Sequence, residues 1–442
     1  MSIKDKLEKL NKTKPAKANI DDTKAQAIEA LRRRVDAVVQ KNPLPPPRKI
    51  YVRSHMEETL AGKEVVNECG RFFLVEEIFK KTQQHGKIAI GELANVCTKA
   101  LSLLAKDTDI AKHNITDAIF IDLETTGLAG GTGTFPFMIG IGWFDGNNFI
   151  LQQLFSRDHS EEKASLTYLL EMANDRRFVV TFNGKTYDMG LLTTRLILNR
   201  LRNPLADLPH LDLLHPCRRI FKHRLENCTL SNIEAEILQH YREGDIPGFE
   251  IPQRYFDWLR RRDPSLVVDI FYHNRLDIIS MAGIALLLSQ MCDSEDNPIA
   301  RDDLHITKLK MERDATAGDT ENLKRLAESS DTTVAIEAMA LLANAYKKNE
   351  QWMDAVSLWQ KILSHKPNSF FAVEELAKHY EHQVKDYWQA INEIETFTQN
   401  VPFILRAERE SLQRRLTRLR AKIANKTNKH QLKVKHEKNP HC

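Results

Sequence analysis

Two acidic residues lie close together in an otherwise apolar run of this 442-residue sequence. The run is AIFIDLETTG at residues 118–127, which has the form of a buried strand that delivers side chains at its end. Asp122 and Glu124 are two residues apart, so both project from the same face of that strand. Two like charges this close in an apolar setting require a cation, and divalent metal ions with oxygen ligands are the natural partners.

Two further acids stand in comparable contexts. Asp188 follows a second apolar run, RFVVTFNG at residues 177–184, and opens a predicted helix after an Asn-Gly turn. Asp277 lies in FYHNRLDIISM, within a long predicted helix over 267–291 whose other residues are suited to burial. Four carboxylates from two strands and two helix positions could hold two metal ions about 4 Å apart, the spacing that phosphoryl-transfer enzymes use.

The segments around these acids alternate between strands and helices. FPFMIGIGWF and NFILQQLF flank an Asp-Gly turn at 145–146, which predicts an antiparallel hairpin. Short alternating runs over 64–92 predict a β-rich lead-in, and a 3.6-residue period predicts a helix over 160–174. Antiparallel strands followed by strand–helix alternation indicate an α/β fold, a mixed sheet with flanking helices.

Residues 320–400 are predicted to be helical and to repeat. Ala343 recurs at Ala377 and Tyr346 at Tyr380, both 34 residues apart, a period that resembles the tetratricopeptide repeat. With two units visible, an ordinary pair of helical hairpins is the alternative. The sequence therefore predicts an all-α region of tetratricopeptide-like helices after the sheet, and such repeats could bind a protein partner.

Composition and charge narrow the class of protein. Hydrophobic residues make up 42% of the chain and charged residues 28%, a mix that can bury a core. Because no long apolar run and no CxxC pair is present, we expect no membrane-spanning helix, no secretory signal and six reduced cysteines in a cytoplasmic protein. Residues 1–60 (14 Lys and Arg against 8 Asp and Glu) and 406–442 (12 against 3) are basic. These ends suggest a polyanionic partner, with solvated tails as the alternative.

The order DxETTG, then Nx₃YD, then an aspartate preceded by Tyr and His on a helix resembles the DEDD exonucleases of the ribonuclease-H-like fold. The resemblance extends to the YprB-like ribonuclease-H-like family, whose members add C-terminal tetratricopeptide repeats, and it covers residues 64–292. It implies a metal-dependent 3′→5′ exonuclease that acts on DNA or RNA with two Mg²⁺ or Mn²⁺ ions. Asp122, Glu124, Asp188 and Asp277 would be the metal ligands. By the same resemblance, Asp122 would contact both ions and Glu124 the ion on the nucleotide side.

A fifth residue positions the attacking water in such relatives, either a Tyr four residues or a His five residues before the last aspartate. In this sequence His273 is four residues before Asp277 and Tyr272 is five residues before it. Four residues make about one helical turn, so His273 shares the face of Asp277, whereas Tyr272 is rotated by about 140°. We therefore favour His273 over Tyr272 as general base or water-orienting residue. A histidine that makes only local hydrogen bonds is the third alternative.

Residues next to the acids are candidates for substrate contact. Backbone amides at Thr125 and Thr126 could approach a terminal nucleotide, while Asn183 and Lys185 could touch a phosphate. A strand exit and a solvated lysine are the alternatives. Asp212, in HLDLL, is expected to be structural. Two other functions stay open on the same fold: an inactive nucleic-acid-binding adaptor that carries a protein partner, and a structure-selective endonuclease.

Four regions are predicted: a charged extension with a Pro-rich linker (1–60), the ribonuclease-H-like domain with its β-rich lead-in (61–295), tetratricopeptide-like helices (315–405) and a basic tail (406–442). The tail resembles a nucleic-acid-binding arm, although its first part could instead be the last helix of the helical region. Aromatic residues at 255, 256 and 258 stand close to arginines at 260–262. They could stack on bases or belong to an amphipathic helix.

Overall fold

The structure is a computed structural model, and it describes residues 56–127, 133–146, 148–294, 297–314 and 316–437. Residues 1–55, which hold most of the predicted charged extension and its Pro-rich linker, lie outside the described residues. The limits of the four predicted regions stay predictions.

A seven-stranded mixed sheet lies at the centre of the first part of the described chain. In spatial order the strands are β1-β2-β7-β6-β5-β8-β9, antiparallel from β1 to β5 and parallel from β5 to β9, and β3 pairs with β4 in a small second sheet. The predicted hairpin is confirmed as β6 and β7, where Trp143 pairs with Ile150. The strands are β1 (Lys63–Asn67), β2 (Gly70–Phe79), β3 (Gln84–His85), β4 (Ile88–Ala89), β5 (Ala118–Thr125), β6 (Pro136–Asp145), β7 (Asn148–Phe155), β8 (Phe178–Thr181) and β9 (His210–Asp212).

Helices cover both faces of this sheet. Ala118 and Phe120 of β5 lie in a core cluster with Ile278, whereas Ile119 and Ile121 pack with residues of the opposite face. The predicted helices over 160–174 and 267–291 are confirmed as α3 and α8. The helices of this part are α1 (Met56–Leu60), α2 (Thr98–Ala105), α3 (Glu162–Ala173), α4 (Asp188–Leu198), α5 (Leu214–Phe221), α6 (Leu230–Ile233), α7 (Ile251–Arg261) and α8 (Val268–Asp293).

The segment Pro264–Asp293, which contains α8, is long and apolar enough to cross a membrane by length and composition alone. In its most apolar window 72% is buried inside the protein, and the core helix of a soluble protein meets the same criteria. This is weak evidence for a membrane span, and the expected absence of a membrane partner stays a prediction.

The C-terminal part of the described chain is helical, as predicted, and each helix contacts the next. The repeated alanines Ala343 and Ala377 are fully buried where the helices pack, although the tetratricopeptide assignment itself stays a prediction. The first of these helices docks on the sheet domain, because Asp302 is buried and lies 2.6 Å from His223 Nε2. The helices are α9 (Ala300–Asp314), α10 (Ala317–Ala327), α11 (Thr332–Lys348), α12 (Trp352–His365), α13 (Phe370–His379), α14 (Tyr387–Asn400) and α15 (Arg406–Glu437).

The first half of α15 is a packed helix and not a free arm. Leu412, Leu416 and Leu419 recur at helical spacing and are buried against α14. The Glu381 side chain, which is fully buried, accepts hydrogen bonds from Arg415, Arg418 and Lys422 of α15. Of the two sequence-based interpretations of the basic tail, the last helix of the helical region therefore fits residues 406–423.

We predict that Glu381→Gln destabilises the helical region by about 2 kcal/mol near neutral pH, because buried hydrogen bonds to charged groups contribute on this scale. Burial opposes ionisation of Glu381, yet the hydrogen bonds from Arg418 and Lys422 prevail and lower its pKa to about 2. Its contribution is therefore present above the unfolded pKa and is lost as the pH falls from about 4.5 towards 2. Urea unfolding followed by circular dichroism measures both effects.

Glu395→Gln is the matched control on α14, because Glu395 also accepts a hydrogen bond from α15. Glu395 accepts a hydrogen bond of 2.8 Å from Arg420 of α15, but its side chain is 44% exposed. An exposed ion pair contributes little, so this variant should stay within about 0.5 kcal/mol of the unmodified protein. Equal destabilisation by the two variants would contradict the role assigned to Glu381.

Candidate metal centre

On one face of β5, the side chains change along the strand from apolar to acidic. Ala118 and Phe120 are buried beneath α8, and the next two residues on that face are Asp122 and Glu124. Strand β8 pairs only with residues 118–120 of β5, so the two acids lie beyond the parallel pairing, at the edge where the strands separate. Glu124 is only 8% exposed and Asp122 is half-buried. The predicted strand with two carboxylates on one face is thus present.

Asp188 reaches the same edge through a turn that Asp212 holds in place. The Asp212 carboxylate, which is 3% exposed, accepts hydrogen bonds from the backbone N–H groups of Asn183 (2.7 Å), Lys185 (3.1 Å) and Leu214 (3.1 Å). Asn183 adopts a φ of +65°, in the left-handed region that asparagine tolerates. This turn connects β8 to α4, which begins at Asp188. The contacts agree with the structural role expected for Asp212.

Helix α8 brings His273 and Asp277 to the acids on β5. His273 Nε2 lies 3.5 Å from Asp277 Oδ2, one turn along the helix. One ligand atom each from Glu124, His273 and Asp277 lie within 4.8 Å of one another, a grouping that could hold a metal ion. Of the two candidates for the fifth residue, His273 is the one that faces Asp277.

The pKa values of three acids indicate that the four carboxylates lie close enough to repel one another. Burial, together with the charges of Asp277 and Asp188, raises the pKa of Asp122 well above its ordinary value. Burial also raises the pKa of Glu124, and the charges of the other three acids add to that effect. Burial and the charges of Asp212 and Asp277 raise the pKa of Asp188 to about 7. Carboxylates that repel one another in a buried pocket fit a hard divalent cation, which favours their ionised form.

Three charged residues near Asp277 were missed by the sequence analysis, namely Glu234, Arg242 and Asp245. Arg242 is 9% exposed and donates hydrogen bonds to the carboxylates of Glu234, Asp245 and Asp277. Asp245 also holds the histidine, since its Oδ1 lies 2.9 Å from His273 Nδ1. These residues belong to the stretch 234–245, where no apolar period or motif marks them.

The predicted substrate-contact residues have the following surroundings. The Thr125 hydroxyl donates to the carbonyl of Gly127 at 2.8 Å. The Thr126 hydroxyl accepts from the N–H of Phe135 at 3.0 Å, and the Thr126 N–H donates to the Phe135 carbonyl at 2.9 Å. The two contacts of Thr126 tie it to Phe135, the residue before β6. Lys185 is exposed near the turn at Asn183, and substrate contact by all four residues stays a prediction.

The aromatic residues of α7 do not form an exposed stacking surface. Tyr255 is fully buried and Trp258 is 5% exposed, and both pack in a core cluster with Phe155. Only Phe256, at 38% exposure, faces outward among the three. The amphipathic-helix interpretation of this segment is therefore the one that fits.

Comparison with known proteins gives two findings. A family model described as the RNase H superfamily matches residues 119–289, a segment that contains all four acids. A protein of Bacillus subtilis (strain 168), described as uncharacterized protein YprB, is 31% identical over 365 residues, which cover 80% of this chain and 87% of that protein.

We predict that the metal-free protein becomes less stable as the pH rises from about 4 to about 8. Asp122, Glu124 and Asp188 have raised pKa values in the folded state, so the folded protein holds protons that the unfolded chain releases in this range. In EDTA the unfolding midpoint should fall by at least about 3 °C between pH 5 and 8. Saturating Mn²⁺ should abolish the fall, because a cation replaces the protons.

Asp188→Asn is the control for this experiment. The asparagine cannot ionise, so one of the three contributions disappears and the midpoint of this variant in EDTA should depend less on pH. A midpoint of the unmodified protein that is insensitive to pH, or that rises over this range, would contradict the repulsion described for the pocket.

Proposed function

Because the chain belongs to the family of the uncharacterized protein YprB and its residues 119–289 match the RNase H superfamily, we propose that it hydrolyses nucleic-acid phosphodiester bonds as a 3′→5′ exonuclease that uses two divalent cations. One observation carries the proposal: four carboxylates, separated by up to 155 residues of sequence, share a buried pocket in which they repel one another. A purely structural pocket would replace such acids, since burying charge without a partner is costly. The direction of attack rests on the resemblance to DEDD exonucleases.

Asp122, Glu124, Asp188 and Asp277 are proposed as the residues that would hold the cations. When bound, such cations acidify water and stabilise negative charge on the leaving 3′ oxygen. The chain contributes the fixed geometry: two acids are held on a strand, one at a helix start and one within a buried helix. Rigid elements keep the acids in place during the reaction.

His273 is proposed to orient the attacking water and to accept its proton. Its Nδ1 is engaged by Asp245, which leaves Nε2 on the side of Glu124 and Asp277. A carboxylate partner on one ring nitrogen fixes both the tautomer and the orientation of the ring. Asp245 would then be a positioning residue, because it acts through His273.

The cellular setting belongs to the same proposal. We infer a cytoplasmic protein, supported by five free cysteines among the described residues. A protein partner is proposed for the helical region, supported by the exposed large apolar side chains of Met353, Trp388 and Phe403. DNA or RNA is the proposed substrate, and Mg²⁺ or Mn²⁺ the proposed metal.

The test of the activity uses single-stranded and duplex DNA and RNA, labelled at either end, incubated with Mg²⁺ or Mn²⁺. We expect stepwise shortening from the 3′ end. Asp122→Asn should slow it by on the order of 10³-fold, because losing a metal ligand removes several kcal/mol of transition-state stabilisation. Asp145→Asn removes an exposed carboxylate at the turn of the β6–β7 hairpin and should leave the rate unchanged.

Other outcomes of this assay would support one of the two alternative functions, the endonuclease or the adaptor. Discrete internal fragments would assign a structure-selective endonuclease. Binding without cleavage, with the same affinity in Asp122→Asn, would assign an adaptor and contradict the proposed catalysis.

The fifth residue is tested by His273→Gln and Tyr272→Phe. We expect His273→Gln to lower kcat by about 10²-fold or more, the scale of general acid–base catalysis, and Tyr272→Phe to leave kcat within about threefold. Asp245→Asn should lower kcat by less than His273→Gln and shift the pH profile of kcat, because it disturbs the histidine without removing it. The reverse order of effects for His273 and Tyr272 would assign the role to the tyrosine.

A further inference from the structure

A single row of residues crosses the centre of the sheet beneath α8. Asp122 of β5 is paired with Gly140 of β6, and Gly140 is paired with Gln153 of β7. Cross-strand partners project from the same face of a sheet, so Asp122 and Gln153 face α8 with a gap between them where Gly140 has no side chain. A Cβ on Gly140 would lie 2.3 Å from Asn274 Oδ1 of α8. The gap is therefore occupied by the Asn274 amide.

The Asn274 amide is fully buried and links the two ends of this row. Its Nδ2 donates to Asp122 Oδ2 at 2.8 Å, and its Oδ1 accepts from Gln153 Nε2 at 3.0 Å. Gln153 Nε2 also donates to the backbone carbonyl of Phe271 at 2.8 Å. Because a carbonyl can only accept, the Gln153 amide must present its NH₂ group here, so Asn274 must turn its own NH₂ group towards Asp122.

We propose that Asn274, oriented by Gln153 over Gly140, is the positioning residue that holds the Asp122 carboxylate for metal binding. The proposal rests on the proposed function, since it takes Asp122 as a metal ligand. The hydrogen bond engages Oδ2 and fixes the rotation of the carboxylate, so Oδ1 is the oxygen that would bind a cation. It also supplies a donor to a carboxylate that the apolar strand would otherwise leave poorly solvated.

Helix packing alone does not account for this arrangement. A small apolar side chain at 274 would fill the space over Gly140 without burying an amide, which costs free energy unless it is fully hydrogen-bonded. One turn further along the same helix, an apolar side chain does fill the space over a glycine, since Ile278 packs over Gly142. The buried amide at 274 lies over Gly140, the strand partner of Asp122, where it can donate to Asp122.

The test measures Mn²⁺ affinity by isothermal titration calorimetry on the full chain. Asn274→Leu should weaken Mn²⁺ binding by about 10- to 100-fold, the usual effect of losing a residue that orients a metal ligand. Gln153→Met should weaken it by about 10-fold. The double variant should bind no more weakly than Asn274→Leu alone, because Gln153 acts only through Asn274.

Ser289→Ala is the matched control on the same helix. It removes the hydrogen bond of 2.9 Å from the Cys97 N–H, far from the acids, so it should lower stability and leave Mn²⁺ affinity unchanged.

If Asn274→Leu does not fold, Gln153→Met alone decides, and unchanged Mn²⁺ affinity in that variant overturns the proposal. If both variants fold and bind Mn²⁺ as the unmodified protein does, the inference is wrong and the proposed function stands. If the unmodified protein binds no Mn²⁺, the proposed function fails first and the inference with it.

Discussion

Mutual repulsion of four carboxylates at the edge of a buried sheet is the constraint around which the rest of the site is arranged. The raised pKa values of Asp122 and Glu124 express that repulsion together with the loss of water. The fold offsets part of it with donors on two sides: Asn274 donates to Asp122, and Arg242 donates to Asp277. Both donors are nearly inaccessible to solvent, so their interactions with the acids are screened little by water.

The parts of the site that could be predicted from the sequence are those whose signals are local. The pair at 122 and 124 is visible because two acids interrupt an apolar strand, and Asp277 because an acid interrupts an apolar helix. The helical face shared by His273 and Asp277 follows from the 3.6-residue repeat alone. The hairpin of β6 and β7 is likewise announced by its Asp-Gly turn. In each case the physical cause lies within a few residues of the chain.

The residues that could not be predicted are those whose roles depend on distant partners. Arg242 meets Asp277 across 35 residues of sequence, and Gln153 meets Asn274 across 121. The sequence does not indicate which amide Gln153 contacts. The need for glycine at 140 is apparent only from the structure, where Asn274 of α8 occupies the space of a side chain. For Tyr255 and Trp258 the sequence pattern is ambiguous. Arginines beside aromatic residues occur both in nucleic-acid-binding surfaces and in amphipathic helices that bury their rings, and here the rings are buried.

Helix α8 has a mechanical consequence, because one rigid rod serves three parts of the molecule. It carries Asp277 near its beginning, packs on the sheet through its middle, and at its end contacts α9, the first helix of the C-terminal region. Asp277 lies 16 residues before the end of the rod, a span of about 24 Å. A tilt of about 5° imposed at the far end would displace Asp277 by about 2 Å, which is enough to disrupt the metal coordination proposed for it. A force applied to α8 from the helical region would therefore change the geometry of the acidic pocket.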